Sequence, residues 1–157
     1  MSALIAKIDS FQGSYRFLSN FWPTSVTFDV VFYPTVEHAF QAAKTLDLRI
    51  RAEIRDCKTA ADAKRLGRRA PLRPDWEKVK IPIMESLVRQ KFAPNTELAE
   101  SLLATGNADL IEGNTWGDRF WGVCRGEGEN RLGKILMQVR AELRNADDSE
   151  KERSTEK

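Results

Sequence analysis

Along residues 26–33, VTFDVVFY, apolar and polar positions alternate. Val26, Phe28, Val30 and Phe32 fall on one side, with Thr27 and Asp29 on the other, which predicts a half-buried strand. A short apolar run at residues 4–8, LIAKI, predicts a second strand that pairs with it. Between them FQGSYRFLSNFWP, rich in aromatic and turn residues, predicts an ordered loop. The period changes after Pro34-Thr35, a favourable helix start. Within YPTVEHAFQAAK, residues 33–44, Val36, Phe40 and Ala43 share a narrow arc with Ala39 and Leu46 nearby. Glu37, Gln41 and Lys44 share another arc, about 60° wide. LRIRAEIRD predicts a second helix, and Thr59 followed by Asp62 caps an alanine-rich one that stops at Gly67. Pro74 opens a turn around Trp76, and Pro82 opens a firmer helix carrying Ile83, Met84, Leu87, Val88 and Phe92. Asn95 caps the next helix, which Gly106 closes. Residues 107–130 are rich in glycine and asparagine, with an extended piece at RFWGVC. Leu132, Ile135, Leu136, Val139 and Leu143 then recur at helical spacing. These elements predict an α+β fold, mainly helical: one domain over residues 1–145 with a small antiparallel sheet. Residues 146–157 have nothing to bury and predict a disordered tail.

Composition narrows the function. Charged residues are 31% and hydrophobic ones 41% of 157, as in soluble globular chains. A formal charge of +2 is too small for a dedicated nucleic-acid or membrane binder. The start, MSALIAKIDS, lacks the apolar stretch of a signal peptide, and Cys57 and Cys124 make no disulfide framework, so a cytoplasmic location is expected. One histidine and two distant cysteines offer no zinc set, and neither a GxSxG nor a phosphate loop occurs. The expected working groups are carboxylates, lysine and arginine, with no metal and no cofactor.

Taken alone, the Glu37–Gln41–Lys44 stripe is more often a solvated helix face than a reaction site. His38 is likewise more often a hydrogen-bonded structural histidine than a catalyst. The turns at FLSNF and EGNTWGDRFWG raise the prior, because they gather polar groups among aromatics as small-molecule pockets do. They and their neighbours supply Arg16, Ser19, Asn20, Glu112, Asn114, Asp118, Trp121 and Asn130. Asparagines suit sugar hydroxyls and base edges, tryptophan offers a stacking face, and arginine clamps phosphate. Each also has an ordinary structural use, Asn20 and Asn114 as turn formers and Asp118 as a turn cap.

FLSNF, YPTVEHAFQAAK, AKRLGRR, MESLVRQKFAPN, LLATGNADLIEGN, DRFWG and GENRLGKILMQVR, in that order, resemble the NADAR (YbiA-like) family from about Phe11 to Leu143. The resemblance implies a mostly helical fold with a few strands and an N-glycosidase that cleaves the bond between ribose C1 and a base nitrogen. The implied substrates are phosphoribosylated intermediates of riboflavin synthesis, or ADP-ribose on guanine in nucleic acid; no membrane partner is implied. Such cleavage builds positive charge on the ribose and negative charge on the leaving base. Glu37 is then the expected carboxylate near C1 and Asp118 the second one. Lys44 either stabilises the leaving group or, with its pKa lowered, attacks the opened sugar to form an imine. Arg16, Ser19, Asn20, His38, Gln41, Glu112, Asn114, Trp121 and Asn130 are the expected substrate contacts. Two other classes compete: a non-catalytic ADP-ribose or nucleotide reader, and a nucleic-acid module using KRLGRRAPLR at residues 64–73. Pure binding has little use for a carboxylate at the reacting centre.

Overall fold

The computed structural model describes residues 5–156. In chain order the elements are β1 (Lys7–Ile8), a 3-10 helix (Gly13–Leu18), β2 (Val26–Phe28), β3 (Val31–Tyr33), α1 (Val36–Ala43), α2 (Leu48–Arg55), α3 (Ala60–Gly67), α4 (Trp76–Lys91), α5 (Glu97–Leu103), β4 (Asp109–Leu110), β5 (Gly113–Asn114), β6 (Val123–Cys124) and α6 (Arg131–Thr155). The class is α+β and mainly helical. No helix among the described residues is long and apolar enough to cross a membrane. Two contact-dense units divide the chain: Asn20–Lys91, and Met1–Ser19 with Phe92–Lys157.

In the Asn20–Lys91 unit, α1 is surrounded by α2, α3 and α4 and touches the β2–β3 hairpin. Side-chain caps start its first three helices. Thr35 accepts from the His38 N–H, Asp47 from Arg49 and Ile50, and Thr59 from Asp62. The expected single strand over 26–33 is instead a hairpin, with Val26 opposite Tyr33 and Phe28 opposite Val31. Asp29 and Val30 form its turn at φ 47° and 59°, left-handed values that match the strand twist. The turn reverses the alternation. Val30 is therefore 98% exposed and Phe32 also faces solvent, while Val26 and Tyr33 are buried. Leu46 is exposed as well, because α1 has ended before it. Arg51 ties this region together, donating to the Thr45 carbonyl at 2.6 Å and to Asp29 at 2.7 Å. The fourth helix begins at Trp76 rather than Pro82, and Pro82 lies within it at an exposed position. Tertiary packing accounts for the early start: Trp76 is buried with its ring 5.1 Å from that of Phe40.

In the other unit, β1 pairs in parallel with β4, and β5 in parallel with β6. The expected pairing of the first strand with residues 26–33 is not formed, since β3 takes that partner; Leu4 lies outside the described residues. Of the three two-stranded ladders among the described residues, only the hairpin is antiparallel. Thr96 caps α5 in place of Asn95, which takes a left-handed φ of 65° just before it. Leu102 on α5 and Leu132, Ile135, Leu136, Val139 and Leu143 on α6 are buried, the period the sequence shows. The expected disordered tail is instead helical through Thr155. Residues 146–155 are all exposed, so their helix rests on the propensity of alanine, glutamate, lysine and arginine and on propagation from the packed turns.

Candidate functional site

All eight residues of α1 are buried. The polar arc of this helix is therefore not the solvated face expected of an isolated stripe, because α3 packs on it with Gly67 against Gln41. Glu37 is 7% and Gln41 4% exposed. A carboxylate taken out of water is costly unless hydrogen bonds replace its hydration. One such bond comes from Gln41, whose Nε2 donates to Glu37 Oε1 at 2.8 Å. That bond fixes which end of the amide is nitrogen. Gln41 Oε1 is then left buried without a hydrogen-bond partner. It lies against Gly67 of α3, where any Cβ would collide with it. Gly67 is thus a close-approach glycine that seats Gln41, and through it Glu37.

Lys44 caps the C-terminal end of α1 and is half-buried. Burial pulls its ammonium below the ordinary lysine range; the Glu37 carboxylate opposes this, while Lys64 and Arg68 add to it. A lowered lysine is a better nucleophile and proton acceptor near neutrality.

The remaining expected residues of this unit hold the helix. Asn20 is buried, its backbone carbonyl accepts from the Glu37 N–H at 3.1 Å, and its Nδ2 lies 3.5 Å from Met84 Sδ. His38 was expected among the substrate contacts, and the structure places it inside the packing around α1. The ring is 1% exposed, with Nε2 donating to the Cys57 carbonyl at 3.0 Å and Nδ1 2.7 Å from the Thr35 hydroxyl. Both ring nitrogens are occupied, so His38 locks the helix cap to the turn after α2.

The second group of expected residues lies in the other unit and is tied into its loop. Asp118 Oδ1 accepts from the N–H groups of Phe120 and Trp121 at 3.1 and 2.9 Å. Asn114 accepts from the Asp118 N–H at 3.0 Å and donates to the Asp118 carbonyl at 2.8 Å and to Glu112 Oε2 at 3.0 Å. Asn130, at a left-handed φ of 52°, accepts from the Glu112 N–H and donates to the Leu110 carbonyl. Asn114 and Asn130, expected to hold sugar or base, spend these bonds on the loop itself, and Asp118 acts as its turn cap. Gly122 completes the arrangement, since a Cβ there would strike the Glu112 carboxylate. The half-buried Trp121 ring packs edge-on against Phe120 at 4.8 Å. Arg16 is exposed and Ser19 half-buried, at the end of the 3-10 helix and just after it. No group of three potential metal ligands occurs among the described residues.

Residues 9–144 match the NADAR domain. The chain belongs to the NADAR family. Among its NADAR relatives is the N-glycosidase YbiA of Escherichia coli (strain K12), 43% identical over 148 residues that cover 91% of each protein. A riboflavin biosynthesis protein of Vibrio vulnificus (strain YJ016) is 42% identical over 133 residues; the match covers 83% of this chain and only 36% of that longer protein. The NMR structure of the E. coli YbiA protein superposes with a TM-score of 0.80 at 38% identity, covering 92% of this chain and 89% of that one. Sequence reasoning missed two parts of this NADAR chain's α1 surroundings, Gly67 and the cations Lys64 and Arg68. The AKRLGRR stretch was their signal, a glycine set among basic residues on a helix that has to pack.

Proposed function

We propose that this chain is an N-glycosidase that cleaves the bond between ribose C1 and a base nitrogen, with Glu37 and Lys44 performing the chemistry. The hydrolase class is that named for relatives above 40% identity over nine-tenths of both chains. The observation that carries the residue assignment is the buried Glu37 carboxylate on the same helical arc as a lysine whose ammonium is disfavoured. A buried carboxylate on the same arc as a lysine of lowered pKa is characteristic of reacting centres more than of stabilising pairs. Glu37 takes the proton of the attacking water as the C1–N bond breaks, and the departing base nitrogen gains a proton, so one water is consumed. In the covalent variant the neutral Lys44 amine displaces the base at C1. The ring then opens as the imine forms, and water hydrolyses it to return the amine. Asp118 supports its loop and is left out of these steps.

The substrates we propose are phosphoribosylated intermediates of riboflavin synthesis or ADP-ribosylated guanine in nucleic acid, met in the cytoplasm. Incubation with each class, followed by mass spectrometry of the released base and sugar, tests this. Release of free base with a matching amount of sugar is expected from at least one class. Tight binding of ADP-ribose with no release from either would make the chain a non-catalytic reader. Activity is expected to persist in excess chelator; loss there with recovery on adding a divalent cation would overturn the metal-free mechanism.

A further inference from the structure

Stability does not explain the pairing of Gln41 with Glu37. Both side chains are buried, and Gln41 Nε2 donates to Glu37 Oε1 at 2.8 Å. The other end of the amide, Oε1, is buried against Gly67 without a hydrogen-bond partner. A buried carboxylate and an orphaned carbonyl oxygen both lower stability, and two apolar side chains of the same size would pack there without either cost. The amide cannot escape its share by turning over. A carboxylate only accepts, so a reversed amide would set oxygen against oxygen at Glu37 and leave the N–H donors facing Gly67. The orphaned oxygen is thus a consequence of holding Glu37. α3 fixes this arrangement, because the space a Cβ of Gly67 would take is already filled by Cβ, Cδ and Oε1 of Gln41. The backbone beneath the carboxylate is held as well. The Glu37 N–H donates to the Asn20 carbonyl at 3.1 Å, and the His38 N–H to the Thr35 hydroxyl at 3.0 Å.

We propose that Gln41 is a positioning residue of the reaction: its amide, clamped by Gly67, aims the Glu37 carboxylate at the water that attacks ribose C1. This rests on the N-glycosidase proposal and deepens it, moving Gln41 from the expected substrate contacts to a group that acts through Glu37 alone. A glutamate side chain has several rotatable bonds, and reacting groups keep their rate advantage only when held within a fraction of an ångström. A directed bond from a residue one helical turn away removes that remaining freedom. An amide suits the task better than an acid or an ammonium. It holds the carboxylate and has no proton to give up, so Glu37 keeps the charge that a base needs.

The test is a double-mutant cycle on turnover. Base release is followed by mass spectrometry with the full chain in excess over substrate. The substrates are a phosphoribosylated intermediate of riboflavin synthesis and an oligonucleotide carrying ADP-ribosylated guanine. Wild type is compared with Gln41→Met, Glu37→Gln and the two combined, and melting curves verify folding. Gln41→Asn, whose amide is too short to make the bond, is carried in parallel as a second variant. Gln41→Met is expected to lower the maximal rate constant roughly ten- to a hundredfold and to leave the half-saturating concentration within about threefold. In the Glu37→Gln background the same substitution should change the rate by less than about threefold, because no charge is left to aim. Equal losses in the two backgrounds would make Gln41 a structural residue and overturn the proposal. A raised half-saturating concentration at an unchanged rate would make it a substrate contact and overturn it too. A large loss in Glu37→Gln with none in Gln41→Met would refute the positioning role and leave the catalytic assignment standing. No base release by wild type, or wild-type release by a folded Glu37→Gln, would refute that assignment and the positioning role with it.

Discussion

Replacing Glu37 by glutamine keeps its size and its bond from Gln41 Nε2 and removes only the charge. If that charge develops the attacking water, Glu37→Gln lowers kcat on the order of a hundredfold or more while substrate affinity is nearly retained. Lys44→Ala is expected to cost a similar factor. The double variant should be little worse than either single one, because groups acting in one step are not additive. Single-turnover kinetics with separate binding titrations measure these quantities, and near wild-type kcat in a folded Glu37→Gln would remove Glu37 from the chemistry. Borohydride added during turnover should leave a sugar adduct on Lys44 in wild type and none in Lys44→Ala. At this scale the sequence shows that Glu37, Gln41 and Lys44 share an arc. It does not show that the arc is dry, since burial depends on what packs over it.

Between elements, the contact of α1 with α3 is the most exacting near the candidate site. A Cβ at Gly67 would collide with the Gln41 side chain. Gly67→Ala should therefore destabilise the fold by about 1–3 kcal/mol through overpacking, and lower kcat by moving Gln41 off Glu37. Adding Gln41→Ala should recover stability without restoring turnover; if kcat also returns, the Gln41–Glu37 bond has no part in the reaction. Chemical denaturation and kinetics on the same variants separate these outcomes. The last turns of α6 are the opposite case. Ala146, Asp147 and Glu150 line a cleft with Pro94, Leu103 and Leu143, but residues 151–156 are all exposed. Deleting residues 151–157 should leave the melting temperature within about 2 °C of wild type, whereas Leu143→Ala should cost about 2–5 kcal/mol. A marked fall in melting temperature on truncation would show that those turns stabilise the fold.

For the molecule as a whole, Lys91 gives stability a distinctive pH dependence. It is 3% exposed, and burial brings its pKa down from 10.5 to about 7. Between those values the unfolded chain holds a proton that the folded chain has released, so stability rises with pH across that window. Below about 7 both states are charged and the slope vanishes. The slope from one lysine is at most about 1.4 kcal/mol per pH unit. Lys44, lowered by the same cause, adds in the same direction, while Tyr33, raised by burial, acts only above its ordinary 10.0. Urea unfolding at pH 7.5 and 9.5 should therefore show greater stability at the higher pH. Lys91→Met should flatten the rise and be more stable than wild type at pH 7.5; an unaltered rise would mean that Lys91 is charged in the folded state.

Local physics carried the helical plan of this protein. Thr35, Asp47 and Thr59 cap helices because a short polar side chain can satisfy the first free N–H groups wherever it precedes such a segment. The buried period of α6 is likewise read directly from its spacing, since one helix face is set by 3.6 residues per turn. The candidate site was partly legible for the same reason: Glu37 and Lys44 fall on one arc whatever surrounds them. Tertiary structure decided everything that depends on a partner distant in sequence. Strand β1 pairs with residues more than a hundred positions away, and Trp76 starts α4 early by packing on Phe40. His38, Asn114 and Asn130 were absorbed into structural hydrogen bonds whose acceptors and donors no local pattern identifies. The stripe on α1 became a buried polar face for the same physical reason. Desolvation is imposed by neighbouring helices, and a sequence period specifies which residues share a face but not whether that face meets water.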